Sequence, residues 1–261
     1  MIHPTAVIDP DAQLGQDVEV GPYTFIGPKV VIGDRCRIAS HVQVASHVRM
    51  GKEARVSSFA SIGAPPQDIK FKGEDTWVEI GDGATIREYV TVNRATPHGT
   101  GVTRVGNGAM LMAYCHVAHD CRIGDRVVIA NGTMLAGHVE IGVASVIGGM
   151  VGVHQFVRIG EYAMVGAMSG VPQDIPPFVI AVVGGRAGKD SSLYGLNLIG
   201  LKRNGFSGET ISALKKAYDI LFRSGKPMGE AISKVEAEVE HFPEVERLLE
   251  FIRASKRGVT R

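Results

Sequence analysis

The chain has 261 residues, enough for one large domain or two smaller ones around a substantial core. Its 28 Lys and Arg against 27 Asp and Glu leave a formal net charge of +1, so no whole-chain field selects nucleic acid or an anionic membrane surface. Cysteines at 36, 115 and 121, odd in number, argue for reduced thiols rather than a disulfide framework, and no apolar run reaches membrane-spanning length. Met1, Ile2, His3 and Pro4 carry no charged-then-apolar leader, and the expected compartment is the cytoplasm.

An aliphatic residue recurs every six positions from the start: Ile2, Ile8, Leu14, Val20, Ile26, Ile32, Ile38, Val44, Met50, Val56 and Ile62. A helix would space its apolar positions three and four apart, and a half-buried strand would alternate every two. A strict six is the period of a hexapeptide β-helix, in which each block forms one flat side and three blocks close one coil. Gly or Ala often follows the aliphatic residue, as at Gly15, Gly21, Gly33 and Ala39, and is expected to relieve the sharp corner there. Stacked coils then pair as parallel strands about 4.8 Å apart. Solenoids of this period usually wind left-handed, against the rule for ordinary crossovers.

The pattern breaks near 63–79 and 93–104, both polar and rich in Pro or Gly, and the second break shifts the frame by one residue. These stretches read as loops thrown out from the prism, and in solenoids such loops commonly lie on a binding face. The sixes resume at Val105 and run to Val171, where Pro172, Pro176 and Pro177 stop regular pairing. The spacing therefore predicts a mainly β protein: a left-handed parallel β-helix over 1–177, then a second part over 178–261. That part opens with an irregular stretch to Leu193, in which 184–192 reads as a flexible insertion. Amphipathic helices follow over 208–223, with Ser207 as N-cap, then over 228–240 and 243–257.

Eighteen residues make one coil, so positions 18 apart lie one above the other. His119, Gly137 and Gln155 form such a column, with no loop between them. His138 and His154 stand beside it, and His116 precedes His119 by three. A lone histidine in a β-helix is a turn residue, and His3, His41 and His47 read that way; four converging histidines do not. An imidazole takes a proton from a hydroxyl near neutral pH, Asp120 can orient or charge-stabilise the ring, and Gly137 offers an unobstructed N–H to a developing oxyanion. No Ser or Cys stands as a nucleophile, which favours direct attack by an activated substrate hydroxyl. The rival is a zinc site on His116, His119 and His138, as in γ-class carbonic anhydrases. The two long loops suit a larger substrate than CO₂, and no metal is expected.

Leu111 to Cys121 with His116-Val-Ala-His119-Asp120-Cys121, Leu135-Ala-Gly-His138, Val153-His154-Gln155-Phe156 and Gly200-Leu-Lys-Arg-Asn-Gly-Phe206 resemble the UDP-N-acetylglucosamine O-acyltransferase family over nearly the whole chain. The resemblance implies a homotrimer with active sites in clefts between subunits. It implies transfer of an (R)-3-hydroxyacyl group from acyl carrier protein to the glucosamine 3-hydroxyl of UDP-N-acetylglucosamine. No cofactor is implied beyond the phosphopantetheine of the carrier. By the same analogy His119 is the general base, Asp120 supports it and Gly137 receives the oxyanion. His116, His138, His154 and Gln155 would line the cleft, and Gln67, Asp68 and Lys70 would contact the sugar or the donor. Asn197 and Arg203 match positions near the nucleotide or the carrier, and Ala167 falls at the acyl-length ruler. Ile199 and Asn204 stand where many members carry Glu and a second Arg. Transfer to a 3-amino UDP-sugar is the alternative within the same chemistry.

Overall fold

The computed structural model describes residues 1–183 and 191–261. The sixfold spacing becomes a prism of three sheets, wound left-handed, with nine, eight and ten strands among the described residues, all parallel except the last strand of the third. Most strands are only two residues long, because each flat side is short and a turn follows it. The nine-stranded sheet includes Ser61–Ala64, Thr91–Asn93, His116–Val117, Met134–Leu135, Gly152–Val153 and Gly170–Val171. Its register pairs His116 with Met134, Met134 with Gly152, and Gly152 with Gly170, all on the outer face. The inward residue of each pair is the sixfold aliphatic: Ile26, Ile62, Leu111, Leu135 and Ile147 lie fully buried on the prism axis. Each such side chain contributes about 1.5–3 kcal/mol by leaving water.

The structure corrects the reading of the corners. The left-handed residue comes three positions after the aliphatic and is mostly not glycine: Arg35, His41, His47, Asp120, His138 and Phe156 all have φ between 54° and 63°. Such a conformation costs a non-glycine residue roughly 1–2 kcal/mol. Hydrogen bonds between coils offset it, since the N–H of each of these residues donates to the coil before it, as Arg35 does to Gln16 O at 2.8 Å. Glycine is needed elsewhere, directly after the aliphatic, where the next coil lies against the chain. A Cβ on Gly33 would sit 2.8 Å from Gly51 C and Lys52 N.

Cysteines fill the inner corners as expected. Cys36, Cys115 and Cys121 are buried and free, and their thiols donate to Gly51 O, Ala130 O and Ala136 O, an arrangement shared with the Thr133 and Ser145 hydroxyls. Burial pushes the Cys121 thiol up to about 12, so it cannot serve as a thiolate nucleophile near neutrality.

The 178–193 stretch is not irregular throughout. Val179–Val183 extends the ten-stranded sheet beside Met164–Val165, and Ser191–Leu196 pairs with it antiparallel. The prolines before Phe178 hid this strand, because a regular six no longer marks it. The expected insertion lies outside the described residues as far as 190. The chain then forms α1 (Leu198–Arg203), which was not foreseen, and α2 (Gly208–Tyr218), which continues as a π turn over Asp219–Arg223. The Ser207 hydroxyl caps α2, accepting from the Thr210 N–H at 3.1 Å. Helices α3 (Met228–Glu238) and α4 (Pro243–Arg253) complete the tail, and both end earlier than their apolar spacing suggests. Residues beyond α4 return to the prism: Thr260 N–H donates to Asp174 O, and the Ser255 hydroxyl donates to the Asp174 carboxylate at 2.8 Å. Among the described residues no helix is long and apolar enough to cross a membrane.

Candidate active site

A cavity of about 660 Å³ opens on the outer face of the nine-stranded sheet. Its wall includes Gln67 from the first loop and His116, His119, Gly137, His154 and Gln155 from successive coils. The column predicted by counting eighteens is present. His138 N–H donates to His119 O at 3.0 Å, and Phe156 N–H donates to Gly137 O at 3.2 Å, so each turn is pinned to the one above.

His119 is the centre of the arrangement. Its Nδ1 lies 2.9 Å from Asp120 Oδ2, and Nε2 has no hydrogen-bond partner among the described residues. The ring lies against the bare Cα of Gly137, where an added Cβ would meet Nε2 at 2.6 Å. The Gly137 N–H has no acceptor among the described residues. At the same turn position lower in the prism, the N–H groups of Gln16, Lys52, Asp82 and Asn107 are each taken by an Asp or Asn side chain one coil up. Above Gly137 that place belongs to Gln155, which makes no such bond, so the donor stays open beside the imidazole.

Asp120 is held by a network that sequence reasoning missed. Its carboxylate is fully buried, and Oδ2 accepts from the Thr96 hydroxyl at 2.7 Å and the Thr96 N–H at 3.0 Å. Oδ1 accepts from the Thr100 N–H at 2.9 Å. Burial opposes ionisation here, but the bonds from His119, Thr96 and Thr100 outweigh it and hold the acid below the ordinary carboxylate range. The second loop, expected on a binding face, thus fixes the carboxylate from behind. We expect Thr96→Val to lower turnover roughly ten-fold, the loss of about one charge-assisted hydrogen bond, with KM little changed. Steady-state kinetics and a melting curve check this; unaltered kcat would show the loop bond to be idle.

His138 stacks on Phe156 at 4.4 Å between centroids and meets His119 edge-on at 5.1 Å, with its Nε2 3.9 Å from Asp120 Oδ2. His116 Nδ1 lies 2.7 Å from the Thr91 hydroxyl, a pairing that follows once the one-residue frame shift is counted. Burial lowers the pKa of both rings; the His119 charge lowers both further, while Asp120 and Asp68 pull His138 back up. A base whose folded pKa is depressed binds its proton more readily when unfolded. The stability these two rings contribute is therefore complete above about pH 6.5 and is lost as pH falls below it. The melting temperature should drop through that window, and less steeply in His116→Asn; an equal slope in the variant would contradict the assignment.

His119, Asp120 and His138 place one ligand atom each within 4.8 Å of the others. His116, part of the zinc set considered from sequence, is not in that group. Asp120 is already engaged by His119, Thr96 and Thr100, so an ion would have to displace bonds that hold the site together. The fit to a metal is poor.

The remaining sequence-selected residues are more dispersed. Asp68 accepts from the Lys70 N–H at 2.9 Å within the first loop, and Lys70 is exposed. Asn197 caps α1 and donates to Tyr162 O at 3.0 Å, while Arg203 is exposed at the end of that helix. Ala167 is exposed outside the cavity, on a turn next to Met168.

The comparisons with known proteins agree with this geometry. Residues 174–260 match the family model described as UDP N-acetylglucosamine O-acyltransferase, domain 2, and residues 103–137 match the bacterial transferase hexapeptide model. An acyl-[acyl-carrier-protein]–UDP-N-acetylglucosamine O-acyltransferase from Thermodesulfovibrio yellowstonii is 52% identical over 203 residues, covering 78% of this chain and 77% of that protein. The crystal structure of a UDP-N-acetylglucosamine acyltransferase from Bacteroides fragilis superposes with a TM-score of 0.96 at 43% identity, covering all of both chains. The corresponding O-acyltransferase structure from Moraxella catarrhalis gives 0.94 at 42% identity, covering 100% of this chain and 99% of that one. With relatives this similar over most of its length, the chain belongs to the UDP-N-acetylglucosamine O-acyltransferase family and is an acyltransferase.

Proposed function

We propose that this enzyme transfers an (R)-3-hydroxyacyl group from acyl carrier protein to the glucosamine 3-hydroxyl of UDP-N-acetylglucosamine, the first step of lipid A biosynthesis. The observation that carries the reading is the His119 ring, bonded to buried Asp120 on one side and lying against Gly137 on the other. His119 Nε2 takes the proton from the sugar hydroxyl as its oxygen attacks the thioester carbonyl. Negative charge collects on the carbonyl oxygen, within reach of the Gly137 N–H. Collapse breaks the C–S bond, and the departing thiolate recovers the proton from the imidazolium, which Asp120 has stabilised in the interval. His116, His138, His154, Gln155 and the first-loop residues Gln67, Asp68 and Lys70 surround the substrates in this scheme. Asn197 and Arg203 serve the nucleotide or the carrier. The acyl group arrives on phosphopantetheine and no further cofactor takes part.

The active assembly on this reading is a cytoplasmic homotrimer. An exposed, largely aromatic strip supports self-association: His41, Phe59, Tyr89 and Tyr114 stack with centroids 4.9–5.1 Å apart, Tyr23 lies tilted against His41 at 5.2 Å, and exposed Met150 and Met168 follow at the same turn position. Ala167 beside that strip would then limit acyl length at a subunit boundary. The reading is tested by offering purified enzyme UDP-N-acetylglucosamine and its 3-amino analogue with a ladder of hydroxyacyl carrier proteins, and weighing the products. An O-acylated sugar nucleotide is expected. Preference for the amine would move the function to N-acylation, and no product together with one tightly held zinc per chain would favour a metal hydratase.

A further inference from the structure

The substrates proposed above are strongly anionic where they are not reacting: a diphosphate on the sugar nucleotide and a phosphodiester on the carrier's prosthetic arm. Yet none of the described residues lining the cavity is Lys or Arg. Its floor beyond Gly137 is bare, because Gly152 and Gly170 face outward from the sheet and a Cβ on either would meet nothing within 4 Å. Glycine weakens a strand interior, and here no neighbour demands it, so these two positions keep room for a ligand. That groove passes His154 and Pro172, and both are touched by one cation. The returning tail brings Arg257 there, with Nε donating to Pro172 O at 3.2 Å and Nη2 lying 3.2 Å from His154 Nδ1. The tail is fastened independently through Ser255 and Thr260 to Asp174. Arg257 therefore need not be a structural pin, and its Nη1 is left without a partner among the described residues.

We propose that Arg257 is a phosphate-binding residue at the rim of the groove, pairing its guanidinium with a phosphate of a bound substrate. The inference rests on the acyl-transfer reading, and it deepens that reading by naming a ligand group and the residue that takes it. Arginine suits the task because its planar fork offers two parallel N–H groups to adjacent phosphate oxygens, which lysine cannot match.

The test uses the full-length enzyme with Arg257→Gln, Arg257→Lys and Ser255→Ala. KM and kcat are measured separately for UDP-N-acetylglucosamine and for hydroxyacyl carrier protein, and UDP binding is measured by calorimetry. Arg257→Gln should raise KM for one substrate by roughly ten-fold or more at similar kcat, as loss of a charge-assisted hydrogen bond predicts. Arg257→Lys should recover only part of it. A rise confined to the sugar nucleotide, with weaker UDP binding, assigns the diphosphate; a rise confined to the carrier assigns the phosphodiester. Unchanged KM for both overturns the proposal, as does an equal rise in Ser255→Ala, which would mean that Arg257 acts only by seating the tail. Failure of the broader reading looks different: the unaltered enzyme would form no O-acylated sugar nucleotide.

Discussion

Replacing His119 by alanine lowers the acyl-transfer rate by roughly 10² to 10⁴, the usual contribution of a positioned general base. That corresponds to about 3–5 kcal/mol of transition-state stabilisation. The prism should be unaffected, because the ring lies on the outer surface against Gly137 while the axis is filled by Leu111, Val117 and Leu135. Circular dichroism and melting temperature should match the parent protein, and the loss should fall on kcat. Turnover close to that of the parent would remove His119 from the chemistry, and would leave the buried Asp120 carboxylate with only the anchoring of the second loop through Thr96 and Thr100.

Adding a single methyl group at Gly137 should be nearly as damaging. Gly137 is not among the residues with left-handed φ, so alanine fits the backbone there. The nearest atoms to the new Cβ all belong to the His119 ring, with Nε2 at 2.6 Å and Nδ1 at 3.1 Å. The ring must move, and it leaves both the open N–H and its bond to Asp120. The backbone N–H itself survives the substitution, so the expected loss is that of displacing the base, which contributes about 10²–10⁴. We expect Gly137→Ala to lose at least 10²-fold, and the double variant with His119→Ala to be no slower than the slower single one, because the two groups work as a unit. Full activity in Gly137→Ala would show that the imidazole has another place to sit. Strict additivity would show that the glycine serves something other than the histidine.

The fold was almost wholly legible because one side chain in six must fill the prism, and that demand writes itself along the chain from Ile2 to Val171. The column of His119, Gly137 and Gln155 was legible for the same reason: no loop intervenes between them, so counting gives position. The corner was misread, since Gly33 answers to the neighbouring coil and Arg35 carries the left-handed turn. Where a loop breaks the count, arithmetic fails. Nothing periodic connects Thr96 with Asp120 or Arg257 with His154, which meet only because a loop and a tail fold back on the prism. The strand Val179–Val183 was lost similarly, its sixfold frame having been cancelled by the prolines before it.

The winding also governs how this gene can change length. Between 119 and 155 an inserted or deleted codon would shift everything after it by one place in the circuit, turning inward residues outward and taking the glycine, or the glutamine above it, out of line with His119. Only whole circuits of eighteen codons keep the column in line, so viable indels should cluster beyond 178 and in those parts of 63–79 and 93–104 that leave Gln67, Thr96 and Thr100 in place, where the chain has already left the count.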